Sequence, residues 1–201
     1  MTPFIALIAA YLIGGIPFGY LLVKLTTGRD VRSLGSGNIG ATNVLRTTGR
    51  VVAIVTLLLD ILKGLAAVWL ADRLTNHSSL WMSAAAVAVI LGHAFPVFLR
   101  FHGGKAVASF IGVFLYVTPL PLLAVLIVFV MVVAATRYIS LGSIIAAGTF
   151  PFAVWMILHP AAPVAIAALI SGAFIVFRHR ANIARIRAGN EYVFRFGGRP
   201  K

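Results

Sequence analysis

The chain has 201 residues, of which 61% are hydrophobic and 10% charged, so its surface is too apolar for a water-soluble domain. It has no cysteine, which excludes thioester intermediates and thiolate metal sites, and its four acidic residues are too few for a two-metal carboxylate site. The net charge of +13 comes from basic residues in short loops and the tail, a pattern that favours a lipid surface or an anionic substrate over nucleic acid.

Seven apolar segments follow one another along the chain and predict an all-α, polytopic membrane helix bundle, which we treat as a single domain over residues 1–201. The first segment lacks the basic region and the cleavage site of a signal peptide, so it is predicted to be a span. The predicted spans cover about residues 3–23, 51–71, 80–99, 106–118, 120–136, 140–158 and 161–177.

The fourth and fifth spans form one apolar run, interrupted by Thr118-Pro119-Leu120-Pro121, which is either a kink in one helix or a turn between two. If it is a turn, 15 of the 17 basic residues face one side of the membrane; if it is a kink, the split is 7 against 9. The positive-inside rule therefore predicts seven spans, with the N-terminus outside and the C-terminus in the cytoplasm.

Four polar clusters fall on the predicted cytoplasmic face, which suggests a single site there. They are SLGSGNIGATNVLR (33–46), GHAFPVFLRFHGGKAVAS (92–109), TRYISLGS (136–143) and FRHRANIARIRAGNE (177–191).

The first cluster contains a formal GxGxxG pattern, but a membrane span precedes it where the dinucleotide fingerprint requires a strand. Its glycines permit close backbone approach, and Ser36, Asn38, Thr42 and Asn43 add polar groups. The glycines alone would be explained by a tight turn. The arginine at position 46 favours phosphate binding.

The second cluster places His93 at the end of the third span and Gly103-Gly104-Lys105 before the fourth. His93 is interpreted either as a hydrogen-bonding residue or as a base, and Lys105 as an interfacial anchor or an anion ligand. Asp60 and Lys63 are spaced i,i+3 in the second span, where a mutual ion pair with a mainly structural role is predicted.

Several enzyme classes do not fit these residues. Metal-dependent phosphotransferases need clustered carboxylates, and an acyltransferase of the His-x4-Asp type needs an aspartate at a spacing that none of the five histidines has. An activated donor such as an acyl phosphate asks less of the protein, because positioning and neutralisation of phosphate charge then suffice.

The first, second and fourth clusters together resemble the three signature motifs of the bacterial acyl-phosphate:glycerol-3-phosphate acyltransferase family, in the right order over residues 33–191. The resemblance implies a cofactor-free and metal-free inner-membrane enzyme whose site faces the cytoplasm. It would transfer a fatty acyl group from acyl phosphate to the sn-1 hydroxyl of glycerol 3-phosphate, giving lysophosphatidic acid and phosphate for phospholipid synthesis.

Carried onto this sequence, the resemblance implies catalytic roles for Ser36, Arg46, His93 and Lys105, with His93 or a donor phosphate oxygen accepting the hydroxyl proton. The implied substrate-binding residues are Gly37, Asn38, Thr42, Asn43, Gly103, Gly104, Ser143, His179 and Asn182. An alternative is a membrane carrier for a phosphate ester or organic anion, although the third to seventh spans contain almost no polar path.

Overall fold

The computed structural model describes residues 1–194, and that part of the chain is helical without a strand. Its Cα positions separate into two compact units, residues 1–117 and the residues from 118 onward. The predicted all-helical class is therefore confirmed.

The first unit is organised around one long helix. It contains α1 (Thr2–Gly15), α2 (Phe18–Thr27), α3 (Ala41–Thr47), α4 (Arg50–Leu74), α5 (Ser79–Ala94) and α6 (Val107–Val117). Helix α4 contacts each of the other five, and α1 also packs along α5. Short 3₁₀ turns at Val31–Ser33 and Val97–Leu99 lie in the two loops that carry the first and second polar clusters.

The first apolar segment is broken between α1 and α2 at Ile16 and Pro17, because proline has no N–H to continue the helical hydrogen bonds. Lys63 of α4 reaches this break: its Nζ donates to the Ile16 carbonyl at 2.7 Å and lies 2.8 Å from Asp60 Oδ1. Asp60 and Lys63 are both buried. The predicted i,i+3 ion pair is thus confirmed, and Lys63 additionally contacts the broken helix.

The second unit consists of α7 (Pro119–Thr136), α8 (Ile139–Leu158), α9 (Ala162–Arg178) and α10 (Arg180–Arg187). Helix α8 packs against both α7 and α9. The axes of α9 and α10 differ by 51°, and His179 lies at the bend.

Five helical stretches in residues 1–194 are long and apolar enough to cross a membrane: α1 together with α2, α4, α5 together with the 3₁₀ turn after it, α7 and α8. A sixth is obtained if α9 and α10 form one broken span. Helix α6 has 11 residues and rises about 16 Å, well short of a hydrocarbon core of about 30 Å. Helix α6 ends at Val117 and α7 begins at Pro119, so the proline-containing interruption separates two helices. The chain is an integral membrane protein with several spans; a seventh crossing and the orientation of the termini stay predictions.

Candidate functional site

The glycine-rich loop of the first cluster is held by one buried amide, that of Asn43 on α3. Asn43 Nδ2 approaches three main-chain carbonyls, those of Leu34 at 3.0 Å, Asn38 at 2.8 Å and Val31 at 3.3 Å, while its Oδ1 accepts from the Ser36 N–H at 2.9 Å. The side chain therefore faces the inside of the loop. Asn43 therefore stabilises the conformation of the loop through hydrogen bonds to its main chain.

Gly35 allows this arrangement in two ways. Its φ is +56°, in the left-handed region that favours glycine, and a methyl group built on it would lie 2.4 Å from Asn43 Oδ1. Beyond it, Ser36 and Gly37 are exposed, and Asn38 Oδ1 accepts from the Gly40 N–H at 2.8 Å. The loop thus presents a serine hydroxyl and a glycine main chain to its surroundings.

The first two polar clusters lie close together in the first unit. Ile39 and Val44 of the glycine-rich loop share a buried hydrophobic cluster with Leu99, which belongs to the second cluster. Val23 and Val31 complete the same group with Ala53. This packing fixes the glycine-rich loop against the segment that leads to Lys105.

Two predicted phosphate ligands of this unit lie near the ends of its helices. Arg46 is in the last turn of α3, and Lys105 lies two positions before the first residue of α6. Both are half-buried. The Gly104 N–H donates to the His93 carbonyl at 3.1 Å and the Gly103 N–H to the Ala94 carbonyl at 3.2 Å. The two glycines before Lys105 are therefore hydrogen-bonded to the C-terminal end of α5.

His93 is buried among polar side chains. Its Nδ1 is 3.0 Å from Ser109 Oγ of α6 and 3.8 Å from Asp60 Oδ1 of α4. The opposite edge of the ring faces the Gly104 main chain, where a methyl group built on the glycine would lie 2.3 Å from His93 Nε2. His102 is instead exposed, with its Nδ1 2.6 Å from the Arg100 carbonyl.

In the second unit, the predicted residues Ser143, His179 and Asn182 are all buried. The Ser143 hydroxyl donates to the Ile139 carbonyl at 2.9 Å, and His179 Nδ1 lies 2.8 Å from the Ile175 carbonyl, which requires a proton on Nδ1. His179 stands between α9 and α10. It is the N-cap residue of α10, and Asn182 lies in the first turn of that helix.

Glu191 ties this segment to α8. Its Oε1 accepts from Asn182 Nδ2 at 2.8 Å and from Ser140 Oγ at 2.9 Å, and its Oε2 accepts from Arg185 Nε at 2.8 Å. Burial raises the pKa of Glu191, but hydrogen bonds from Asn182, Arg185 and Ser140 outweigh it, so the pKa lies below its ordinary value. The ionised carboxylate thus holds the start of the tail against the helices.

Sequence reasoning missed three contributions. No local sequence signal shows that the Asn43 side chain points into the loop. The contact between Asp60 and His93 could have been predicted, because charged residues inside spans are few and need a polar neighbour. Glu191, the last residue of the fourth cluster, follows a run of arginines in the sequence and pairs with one of them, Arg185. An acidic residue beside several arginines is a sequence signal for such an ion pair. Within residues 1–194, no three histidine, aspartate or glutamate side chains converge as a metal site.

This chain is similar to known proteins over nearly its whole length. The glycerol-3-phosphate acyltransferase family model matches residues 4–189. The chain is 48% identical over 191 residues to a glycerol-3-phosphate acyltransferase of Geotalea daltonii, covering 95% of this chain and 97% of the relative. It is also 48% identical over 186 residues to one of Geobacter sulfurreducens, covering 92% and 94%.

Two solved structures have the same fold. A crystal structure of PlsY (YgiH), described as an integral membrane glycerol 3-phosphate acyltransferase in its glycerol 3-phosphate form, superposes with a TM-score of 0.91 at 37% identity and covers 97% of this chain and 96% of that one. The lysophosphatidic acid form superposes with a TM-score of 0.89 at 35% identity, with the same coverage.

Proposed function

Because this chain belongs to the glycerol-3-phosphate acyltransferase family, we propose that it takes its acyl group from acyl phosphate and delivers it to the sn-1 hydroxyl of glycerol 3-phosphate. The products are lysophosphatidic acid and inorganic phosphate. The reaction takes place at the cytoplasmic face of the bacterial inner membrane, where most basic residues are predicted to lie.

An acyl phosphate suits the side chains of this protein. It is a mixed anhydride with a good leaving group, so the hydroxyl oxygen attacks the carbonyl carbon directly and the bond from that carbon to the phosphate oxygen breaks. The chain has no cysteine for a thioester intermediate. The work left to the protein is to hold two phosphate groups, keep the reacting atoms in contact and neutralise negative charge.

In the first unit, the proposed donor site is the exposed part of the glycine-rich loop, with the Ser36 hydroxyl, the Gly37 and Asn38 main chain and Thr42. Arg46 and Lys105 supply positive charge to substrate phosphates, and Gly103 and Gly104 give close access to the main chain. The single observation that carries this proposal is the loop ordered around Asn43, which leaves Ser36 and Gly37 exposed beside polar main chain.

In the second unit, Ser143, His179 and Asn182 are proposed to contribute to binding glycerol 3-phosphate. Because Nδ1 of His179 faces the Ile175 carbonyl, the proposed contact with glycerol 3-phosphate is made through the Nε2 edge of the ring.

Two groups are candidate acceptors for the hydroxyl proton, His93 and a phosphate oxygen of the donor. The geometry around His93 favours the phosphate oxygen. A general base must come within about 3 Å of the hydroxyl. Both edges of the His93 ring are covered, by Ser109 on one side and by the Gly104 main chain on the other. The proton then leaves with inorganic phosphate.

The proposal is tested with purified protein, glycerol 3-phosphate and palmitoyl phosphate, following phosphate release and lysophosphatidic acid together. Equal amounts of the two products are expected, with no turnover when palmitoyl-CoA or acylated acyl carrier protein replaces the donor. Turnover with either of those donors alone would refute the assignment of acyl phosphate. Uptake of labelled glycerol 3-phosphate into vesicles without acyl phosphate would instead support the carrier.

A further inference from the structure

The segment between α5 and α6 is backbone-strained. Three of its non-glycine residues, Arg100, Phe101 and Ala106, have φ values of 53°, 63° and 64°, in the left-handed region that L-residues rarely adopt. Such conformations persist only where the surrounding structure holds them. Lys105, a proposed phosphate ligand, is the neighbour of one of them, so its position depends on what holds this segment.

The His93 side chain packs against this segment at Gly104. A methyl group on Gly104 would lie 2.3 Å from His93 Nε2, and one on Gly103 would lie 2.2 Å from the His93 carbonyl oxygen. The Gly104 N–H also donates to that carbonyl. Both the ring and the main chain of His93 thus determine where the diglycine runs.

The other edge of the ring is fixed by buried polar groups from two helices. Ser109 Oγ of α6 is 3.0 Å from Nδ1, and the carboxylate of Asp60 of α4 is 3.8 Å from the same atom. Asp60 is in turn 2.8 Å from Lys63 Nζ. A ring held in this way has one favoured orientation, because rotation would move Nδ1 away from its polar neighbours.

We propose that His93 is a positioning residue, which Asp60 and Ser109 orient and which holds Gly104 and Lys105 in the strained conformation that receives a substrate phosphate. The inference rests on the proposed function of Lys105. It assigns to Asp60 a role in the site beyond pairing with Lys63. It also predicts that His93 acts on substrate affinity through the main chain and takes no proton during turnover.

The deciding variant is His93→Gln. Its amide reaches the place of Nε2 beside Gly104, yet it has no basic nitrogen, so it separates packing from proton transfer. We expect His93→Gln to keep kcat within about threefold of the unmodified protein, and His93→Ala to raise KM for a phosphate-bearing substrate at least about tenfold. If both variants lower kcat about 100-fold or more with unchanged KM, His93 is a base and the proposal is overturned.

Asp60→Asn tests the second half of the proposal, with Asp72→Asn as its matched control. Asp72 is also buried on α4, 12 residues further along and therefore about 18 Å away, where it accepts from the Tyr116 hydroxyl at 2.8 Å. We expect Asp60→Asn to raise KM and Asp72→Asn to leave it unchanged. Equal KM values for the two variants would overturn the role of Asp60.

Amide hydrogen exchange provides a readout independent of turnover, so failure of the proposed function does not mask the result. In the unmodified protein, the amides of residues 103–106 are expected to be protected. They should exchange faster in His93→Ala and Asp60→Asn, and at the unmodified rate in His93→Gln and Asp72→Asn. Unchanged protection in His93→Ala and Asp60→Asn would overturn the proposal even if the enzyme used a different donor.

Discussion

Replacing Asn43 by alanine should disorder the glycine-rich loop while leaving the helices in place. The Asn43 amide has two N–H groups to share among three carbonyls and one oxygen that accepts the Ser36 N–H, which amounts to three net hydrogen bonds. At about 1 kcal/mol each, their loss costs about 3 kcal/mol of local order. A cost of that size corresponds to a fall in kcat/KM of about 100-fold if substrate binds only to the ordered loop.

The assay combines phosphate release with amide exchange at Ser36, whose N–H loses its acceptor in Asn43→Ala. Asn43→Asp keeps an acceptor for Ser36 but points a carboxylate at three carbonyls, so it should be at least as impaired. Asn76→Gly is the control, since Asn76 is exposed in a loop with a φ of 53° that glycine adopts freely. An Asn43→Ala enzyme with kcat/KM within threefold of the unmodified protein and a protected Ser36 amide would refute the reasoning.

The other expected outcomes concern the charged groups and the lack of a carboxylate cluster within residues 1–194. Lys105→Met and Arg46→Met, which keep an apolar stem, should each lower kcat/KM about 10- to 100-fold in the phosphate-release assay; full activity would remove that residue from the site. Glu191→Gln should lower the Tm at pH 7 by about 4–8 °C, from about 2 kcal/mol of lost bonding. Because the folded pKa of Glu191 is depressed, the unmodified protein should lose this stability as pH falls below about 4, whereas Glu191→Gln should lack that step; parallel Tm profiles would contradict it. Treatment with EDTA should leave turnover unchanged, and loss of activity restored by Mg²⁺ would show that a metal is needed.

The parts of the fold that depend on apolar length and local spacing could be predicted from the sequence. The Asp60–Lys63 pair follows from its i,i+3 spacing, and the separation of α6 from α7 follows from a proline that begins a helix at position 119. The bend at His179 could not be predicted, because neither proline nor glycine marks it.

The site was harder to predict than the helices because side-chain directions in loops depend on distant neighbours. The composition of the glycine-rich loop indicated a phosphate site. The residue that points inward, Asn43, has the same side chain as Asn38, which instead accepts from the Gly40 N–H. The polar neighbours of the His93 ring likewise were not predicted, because Ser109 lies 16 residues away in sequence and Asp60 lies on another helix, α4.

The break in the first apolar segment has a consequence for how the chain enters the membrane. The α4 lysine that donates to the Ile16 carbonyl is synthesised 47 residues after it. A lysine and an aspartate in mid-helix oppose insertion, and a broken helix has carbonyls that lipid cannot satisfy. Since the first segment is made earlier, it is already present when the charges of α4 arrive, and its Ile16 carbonyl accepts a hydrogen bond from the buried lysine. Integration of α4 into the membrane therefore depends on the first apolar segment, and weakening that segment would impair the insertion of α4.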